Sequence, residues 1–476
     1  MTNIRTAVVY SSISLYTVKI LSLISIVVIA RLLTPGEIGT FAIASAIVMI
    51  MGEFRLLGAG SYLVREKEVT IIKIRASLGL TILISWGMGI AIYFFSERVA
   101  LFYQLPPVES IFKILSISFF IAPFISISSA ILSRSFAFKS IFYIKVIGAI
   151  FGSVSSISLI YLGYSFYSLA WGHSISVIAS FFMAIFLWPK DTPFIPALGG
   201  MKKVALFGIY TSISNLFRKA TMTVADMVIG KMGTTVQVGM YSRGLGFVDF
   251  LSQSLIMGVE SVALPYLSKT RRSGGDVAAA YVKASVLVGG LVWPVLAVAS
   301  IASLPAIRLF FGDQWDEAAP LAAWLAIWVS FRSVHWFSNS LLVAVDNERI
   351  MALKEFVIFI TYLSTVILVF PLGLNAIAKS FIFLGIFEFI FMSVLLKKVI
   401  NLEIIYFIKS WLPTVYVTIS CAFATYLISQ WVNFSGENFW QPVLLIMIFL
   451  PIVWLISLKI FRHLLYVEII GLIFKG

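Results

Sequence analysis

The chain is poor in charge, cysteine and histidine. Of its 476 residues, 12% are Asp, Glu, Lys or Arg, one is cysteine and three are histidine. Soluble domains carry about one quarter charged residues, so so low a fraction over this length excludes a soluble fold. The single cysteine, Cys421, excludes an intrachain disulfide; it stands in an apolar run where a small core residue fits. The sequence has no phosphate-binding loop, no HExxH and no Cys/His cluster. Nucleotide hydrolysis and metal-assisted chemistry therefore lack their residues, and no cofactor or metal is expected. There is also no long loop in which an external catalytic centre could stand.

What is present is apolar: 60% of residues are hydrophobic, with a mean hydropathy of +1.02. Runs of about 18 or more apolar residues recur along the whole chain, which describes an all-α polytopic membrane protein. Hydropathy gives fourteen segments, near 8–30, 38–62, 76–95, 114–133, 142–163, 166–188, 204–229, 236–266, 284–307, 318–345, 350–372, 374–396, 405–430 and 440–460. The first has no cleavage pattern and contains Lys19, so it is read as a retained helix. With the N-terminus cytoplasmic, the inside loops gather basic groups such as Arg65, Lys67, Lys73, Arg75, Lys203, Lys354 and Lys475. The division is about 22 basic residues inside against 6 outside. The outside loop Phe311–Pro320 is acidic. Both termini are thus placed in the cytoplasm, and the net charge of +14 reflects membrane orientation, with no call for nucleic acid.

The stretch from Tyr10 to Phe41 recurs 200 positions later, from Tyr210 to Tyr241, without a gap. Nine of the 32 pairs are identical, among them Ser12/Ser212, Ser14/Ser214, Lys19/Lys219, Thr34/Thr234 and Gly39/Gly239. Two lysines aligned inside otherwise apolar helices point to an internal duplication. An N-lobe of six helices then covers 1–190, a Pro- and Gly-bearing cytoplasmic linker 191–203, and a second six-helix lobe 204–398. The last pair of helices and the tail fill 399–476. Six helices between copies preserve orientation, so the pseudo-two-fold axis is expected along the membrane normal.

Ionisable groups at membrane depth are costly, so each is a candidate functional residue. The cations are Lys19, Arg55, Arg218, Lys219, Arg243 and Arg332; the acids are Glu53, Asp226, Asp249, Glu260 and Glu388. Asn215, Arg218, Lys219, Met222 and Asp226 follow a three-to-four rhythm on one helix face, as do Asp249, Gln253 and Glu260 on the next helix. Two readings stand for every cation: contact with an anionic cargo, or pairing with a carboxylate, Asp226 or Asp249 in the case of Arg218. The acids either neutralise cations or carry a coupling proton. His173 and His335 are read as satisfied interior histidines, and Lys145 as a snorkelling residue. Gly58, Gly60, Gly289 and Gly290 are read as sites of close packing or bending.

The run Ala30-Arg31-Leu32-Leu33-Thr34-Pro35-Gly36-Glu37-Ile38-Gly39 resembles the signature A-R-L-L-[ST]-P-x-[DE]-[FIY]-G of bacterial polysaccharide flippases. Ala225-Asp226 through Gly230-Lys231, then Val238-Gly239-Met240-Tyr241-Ser242-Arg243, is similar to a second signature of that family, and Pro265-Tyr266-Leu267-Ser268 to a third. The resemblance implies a two-lobed, alternating-access fold of the superfamily that also holds multidrug exporters and peptidoglycan-precursor flippases. It implies a cationic cavity for an undecaprenyl-pyrophosphate-linked oligosaccharide, and H+ or Na+ as coupling ion. Polysaccharide polymerases and glycosyltransferases are the implied partners, besides membrane lipid. The place implied is the bacterial inner membrane.

Two other readings remain at this level. A drug exporter of the same superfamily usually carries an acid in its first helix, where this chain has Lys19. A membrane polymerase would be an enzyme with a large external loop, which the sequence lacks, and the duplication argues against it.

Overall fold

The computed structural model describes residues 4–55, 57–66, 68–190, 192–436 and 438–475. Lys67, and the side chains of Tyr10, Ser12, Arg65, Lys203 and Lys475, lie outside the described residues. Among the described residues every regular element is helical. In hydrocarbon each backbone N–H and C=O must find its partner within its own segment, and this composition leaves that solution.

The chain begins with α1 (Ile4–Leu32), α2 (Pro35–Phe54), α3 (Ala59–Arg65), α4 (Ile71–Tyr103), α5 (Pro107–Arg134), α6 (Phe138–Tyr161) and α7 (Tyr167–Phe186). It continues with α8 (Met201–Met232), α9 (Thr235–Arg272), α10 (Val277–Ile301), α11 (Ser303–Phe311), α12 (Ala318–Ser333) and α13 (Ser338–Ala344). The last elements are α14 (Glu348–Val369), α15 (Leu374–Ile400), α16 (Ile404–Trp431), α17 (Trp440–Ile460) and α18 (Leu464–Lys475).

All fourteen apolar segments are helical, but the helices outrun the hydropathy limits. α4 has 33 residues, a length of about 50 Å against a hydrocarbon core of about 30 Å. Hydropathy ends where charge begins, while backbone hydrogen bonding continues into the headgroup layer. By length and composition eleven helices can cross a membrane, or twelve if the bent α9 is one span. The count of fourteen is therefore not what these criteria give. α8 falls short because of its charges, and α12 has 16 residues. α8, α9 and α12 carry seven of the eleven candidate charges: Arg218, Lys219, Asp226, Arg243, Asp249, Glu260 and Arg332.

Three segments read as single helices are broken. The second divides between α2 and α3, where Leu57 and Gly58 take φ of 38° and 67°. A Cβ on Gly58 would stand 2.6 Å from the Gly208 Cα, so this left-handed turn and its crossing of α8 both require glycine. The others divide between α10 and α11 and between α12 and α13. In addition, α9 bends by 45° between Met257 and Val262. Composition carries no signal for such breaks inside an apolar run.

The chain forms two compact units, Met1–Gly239 with Met351–Leu363, and Met240–Ile350 with Ser364–Gly476. In the first, α6 packs on α7 and α1, α4 on α5, and α2 on α8. Residues between α7 and α8 lie along α4: Arg75 Nε donates to the Ile195 carbonyl at 3.1 Å and Ala197 N–H to the Arg75 carbonyl at 3.0 Å.

The duplication has a counterpart in this unit. Thr34 and Glu37 cap α2 reciprocally, the Thr34 N–H donating to Glu37 Oε2 at 2.8 Å. Thr234 and Gln237 repeat the arrangement at α9, the Thr234 N–H donating to Gln237 Oε1 at 3.0 Å.

In the second unit α10 packs on α16 and α12, and α12 on α15. His335 is buried, as expected, between Tyr281 Oη at 2.9 Å and Ser393 Oγ at 3.0 Å. Gly289 and Gly290 serve close packing, as expected, against Trp411 and His463. Cys421 is fully buried beside Val417 and Leu458.

Candidate functional site

In the first unit Lys19 on α1 and Lys219 on α8 are both half-buried. Two lysines aligned by the repeat thus share a register and an intermediate degree of burial. Asp226, two turns beyond Lys219, is buried with 8% of its surface exposed. Arg218 differs from expectation: it is exposed, and its Nη2 donates to Asn215 Oδ1 at 3.3 Å within α8. The polar stripe thus runs from an exposed Arg218 to a buried Asp226, because a helix face keeps its direction while its surroundings change along the axis.

Arg55 caps the C-terminus of α2, where the break before α3 turns it into the unit. Its guanidinium carbon stands 5.2 Å from the Phe119 ring centroid, and its Nε is buried without a hydrogen bond. Glu53 and His173 both lie within electrostatic range of it. His173 is exposed on α7, in contrast to the interior position expected. These groups meet at the C-terminal end of α2.

Lys354, expected as a loop cation, is instead on α14. Its Nζ meets Glu355 Oε1 at 3.1 Å, with 5% of each side chain exposed. The signal for this pair was the Lys-Glu dipeptide inside an apolar run.

In the second unit the Arg243 guanidinium stands over two rings, 4.9 Å from Phe311 and 4.8 Å from Trp315. Arg332 Nε lies 3.6 Å from Glu388 Oε1, with 17% and 12% of the side chains exposed, and the guanidinium carbon of Arg332 stands 5.4 Å from the Trp328 ring centroid. Asp249 is half-buried and Glu260 exposed; the bend of α9 begins between them. Of the candidate cations, Arg332 thus has a carboxylate and Arg243 an aromatic cradle. Of the candidate cations in the first unit, Lys19, Lys219 and Arg55 are half-buried.

Such an arrangement suits an anionic group drawn out of water. Lysine offers a compact point charge, and arginine a fork matched to phosphoryl oxygens. Carboxylates nearby limit the cost of the cations when no anion is present.

Residues 28–320 match the family described as polysaccharide biosynthesis protein. The chain is 22% identical over 313 residues to the succinoglycan biosynthesis transport protein ExoT of Rhizobium meliloti, covering 64% of this chain and 62% of that protein, just under two thirds of its length. It is 20% identical over 437 residues to the teichuronic acid biosynthesis protein TuaB of Bacillus subtilis, covering 90% of this chain and 89% of that one. Its fold is similar to that of the lipid II flippase MurJ in an inward closed conformation. The TM-score is 0.76 at 16% identity, with 96% of this chain and 99% of that chain covered.

Proposed function

As the chain belongs to the family of polysaccharide biosynthesis proteins, we propose that it flips undecaprenyl-pyrophosphate-linked oligosaccharide units across the bacterial inner membrane. The direction is from the cytoplasmic to the outer face, by alternating access, in the making of a surface polysaccharide. The chain is then a carrier with no catalytic step. The observation that carries this reading is the pair Lys19 and Lys219, half-buried at equivalent positions of a duplicated helix.

The physical demand explains the design. A pyrophosphate head brought into a low-dielectric interior needs fixed cations, while the polyprenyl tail can remain in the bilayer. In this reading Lys19, Lys219 and Arg55 hold the diphosphate, with Arg218, Arg243 and Arg332 met by cargo in other states of the cycle. Glu53, Asp226, Asp249, Glu260 and Glu388 are the groups available to a coupling H+ or Na+. Protonation of Glu388 would release Arg332 from its ion pair, which links a proton to a free guanidinium. The two lobes, 1–190 and 204–398, are the moving bodies of this cycle, joined by the 191–203 linker, with the terminal pair of helices in 399–476 outside the duplication. Both termini face the cytoplasm. Polymerase and glycosyltransferases act after and before the carrier.

The test is depletion of the protein in cells, followed by extraction of undecaprenyl-linked glycans. Complete units gathered on the cytoplasmic face are the expected result. Units stranded on the outer face, or polymer made without any build-up, would overturn the reading. The roles of Lys19 and Lys219 are tested separately: normally expressed Lys19→Ala and Lys219→Ala proteins should lose export at least tenfold.

A further inference from the structure

A cavity of about 500 Å³ lies within the first unit, between α1, α3, α5 and α6. Among the described residues its lining includes Ser14, Ser61, Ser126, Ser129, Ser133 and Lys145, and no carboxylate. Ser126, Ser129 and Ser133 recur at three- and four-residue steps, so α5 turns one hydroxyl-bearing face toward it. Elsewhere on α5, Ser116 and Ser118 return their hydroxyls to the helix at 2.7 Å, to the Lys113 and Leu115 carbonyls. Among the described residues Ser126, Ser129 and Ser133 make no such bond.

Ser14 supplies a second, independent observation. It is 4% exposed, and its buried Oγ has no hydrogen-bond partner. A buried hydroxyl left without a partner is costly, and rotation about χ1 toward a ligand acceptor in the cavity would remove that cost. Lys145, on α6, is the one charged group among the described lining residues. The walls are braced: Arg134 Nη1 donates to the Leu63, Val64 and Glu66 carbonyls at 3.2, 3.3 and 2.5 Å, tying the end of α3 to α5.

We propose that this cavity binds an anionic polyol, a hydroxyl-bearing group with one phosphate or carboxylate. Serine hydroxyls both donate and accept, as sugar and glycerol hydroxyls do. One lysine without a neighbouring acid selects a single negative charge. The volume falls within the range of small-molecule pockets, about 300–1,000 Å³. Two sources share this chemistry: a glycosyl phosphate or uronate in solution, and the glycerophosphate head of an anionic lipid. The site is distinct from the charged groups assigned to transport, and its assay contains no transport step, so it succeeds or fails independently of the carrier reading.

The experiment uses the full chain purified in nonionic detergent and titrated with glucose 1-phosphate, with neutral glucose as control. A parallel set in nanodiscs compares phosphatidylglycerol with phosphatidylcholine. Saturable binding of glucose 1-phosphate, weakened about tenfold by Lys145→Gln and several-fold by Ser129→Ala, would support the site with a soluble source. The same losses for phosphatidylglycerol would support it with a lipid source. Binding of neither probe, or binding that both variants leave unchanged, would overturn the proposal. Two separate variants on different helices keep the test decisive if one of them does not yield monodisperse protein.

Discussion

Gly39 and Gly239 face one another reciprocally. A Cβ on Gly39 would fall 1.7 Å from the Thr235 carbonyl oxygen, and a Cβ on Gly239 would fall 2.0 Å from that of Pro35. Thr235 is the 200-position counterpart of Pro35, so each glycine meets the start of the helix that the other one opens. The repeat is thus a local two-fold relation between backbones, and the glycine closing the first motif is there for want of a side chain.

Alanine at either position must therefore push backbone against backbone. Gly39→Ala and Gly239→Ala are each expected to cost about 3 kcal/mol, the upper range for overpacking. Thermal midpoints in detergent would show it. Because both changes strain one contact, the double variant should cost less than the sum of the two.

Arg243 lies between Phe311 and Trp315, and planarity is what the two rings read. Arg243→Ala is expected to lose about 2 kcal/mol. Arg243→Lys should recover little of it, since an ammonium group cannot stack. Full stability in the lysine variant would show that the charge alone matters.

Glu388 balances Arg332 in a half-hidden pair. Glu388→Gln is expected to destabilise by about 3 kcal/mol, because it strands a guanidinium away from water. Replacing both partners, as Arg332→Met with Glu388→Leu, should restore at least half of that loss. Thermal denaturation of the starting protein and these two variants in one detergent makes the comparison.

His463 follows α17 and is fully buried over Gly290. Its Nδ1 accepts from Leu465 N–H at 3.0 Å, so Nε2 carries the proton and donates to Thr414 Oγ1 at 2.9 Å. Burial pushes its pKa down to about 4, below the ordinary value of about 6.5. A depressed folded value means that the neutral ring stabilises above about pH 6.5, and that stability is lost as the pH falls toward 4. Between pH 7 and pH 5 the loss should be about 2 kcal/mol. In His463→Gln the same step should shrink, which a pair of melting curves would register.

The sequence was most legible where chemistry repeats at fixed spacing. Apolar runs located the eleven helices, or twelve with the bent α9, that are long and apolar enough to cross a membrane, and the aligned Lys19/Lys219 and Thr34/Thr234 pairs marked the repeated hairpin. Close packing was legible at Gly58 and at the Gly289–Gly290 pair. Helix breaks were less so: the turn at Leu57–Gly58 and the bend after Met257 depend on φ and on tertiary crossing, which hydropathy does not weigh. Burial of single charges was legible only in part. Arg218 and His173 read as interior and are exposed, because a residue inside an apolar run can point to either side of its helix. Lys354 read as a loop cation and is buried beside Glu355, because an adjacent acid hides the cost of burial.

Glu37 and Gln237 close the same cap, one with a carboxylate and one with an amide. The two copies of the cap thus share a shape and differ in charge. Ser165 donates to the other oxygen of Glu37. A search for still more distant copies of the hairpin should score threonine followed at the third place by either Glu or Gln, and should treat the sign at that place as free to vary.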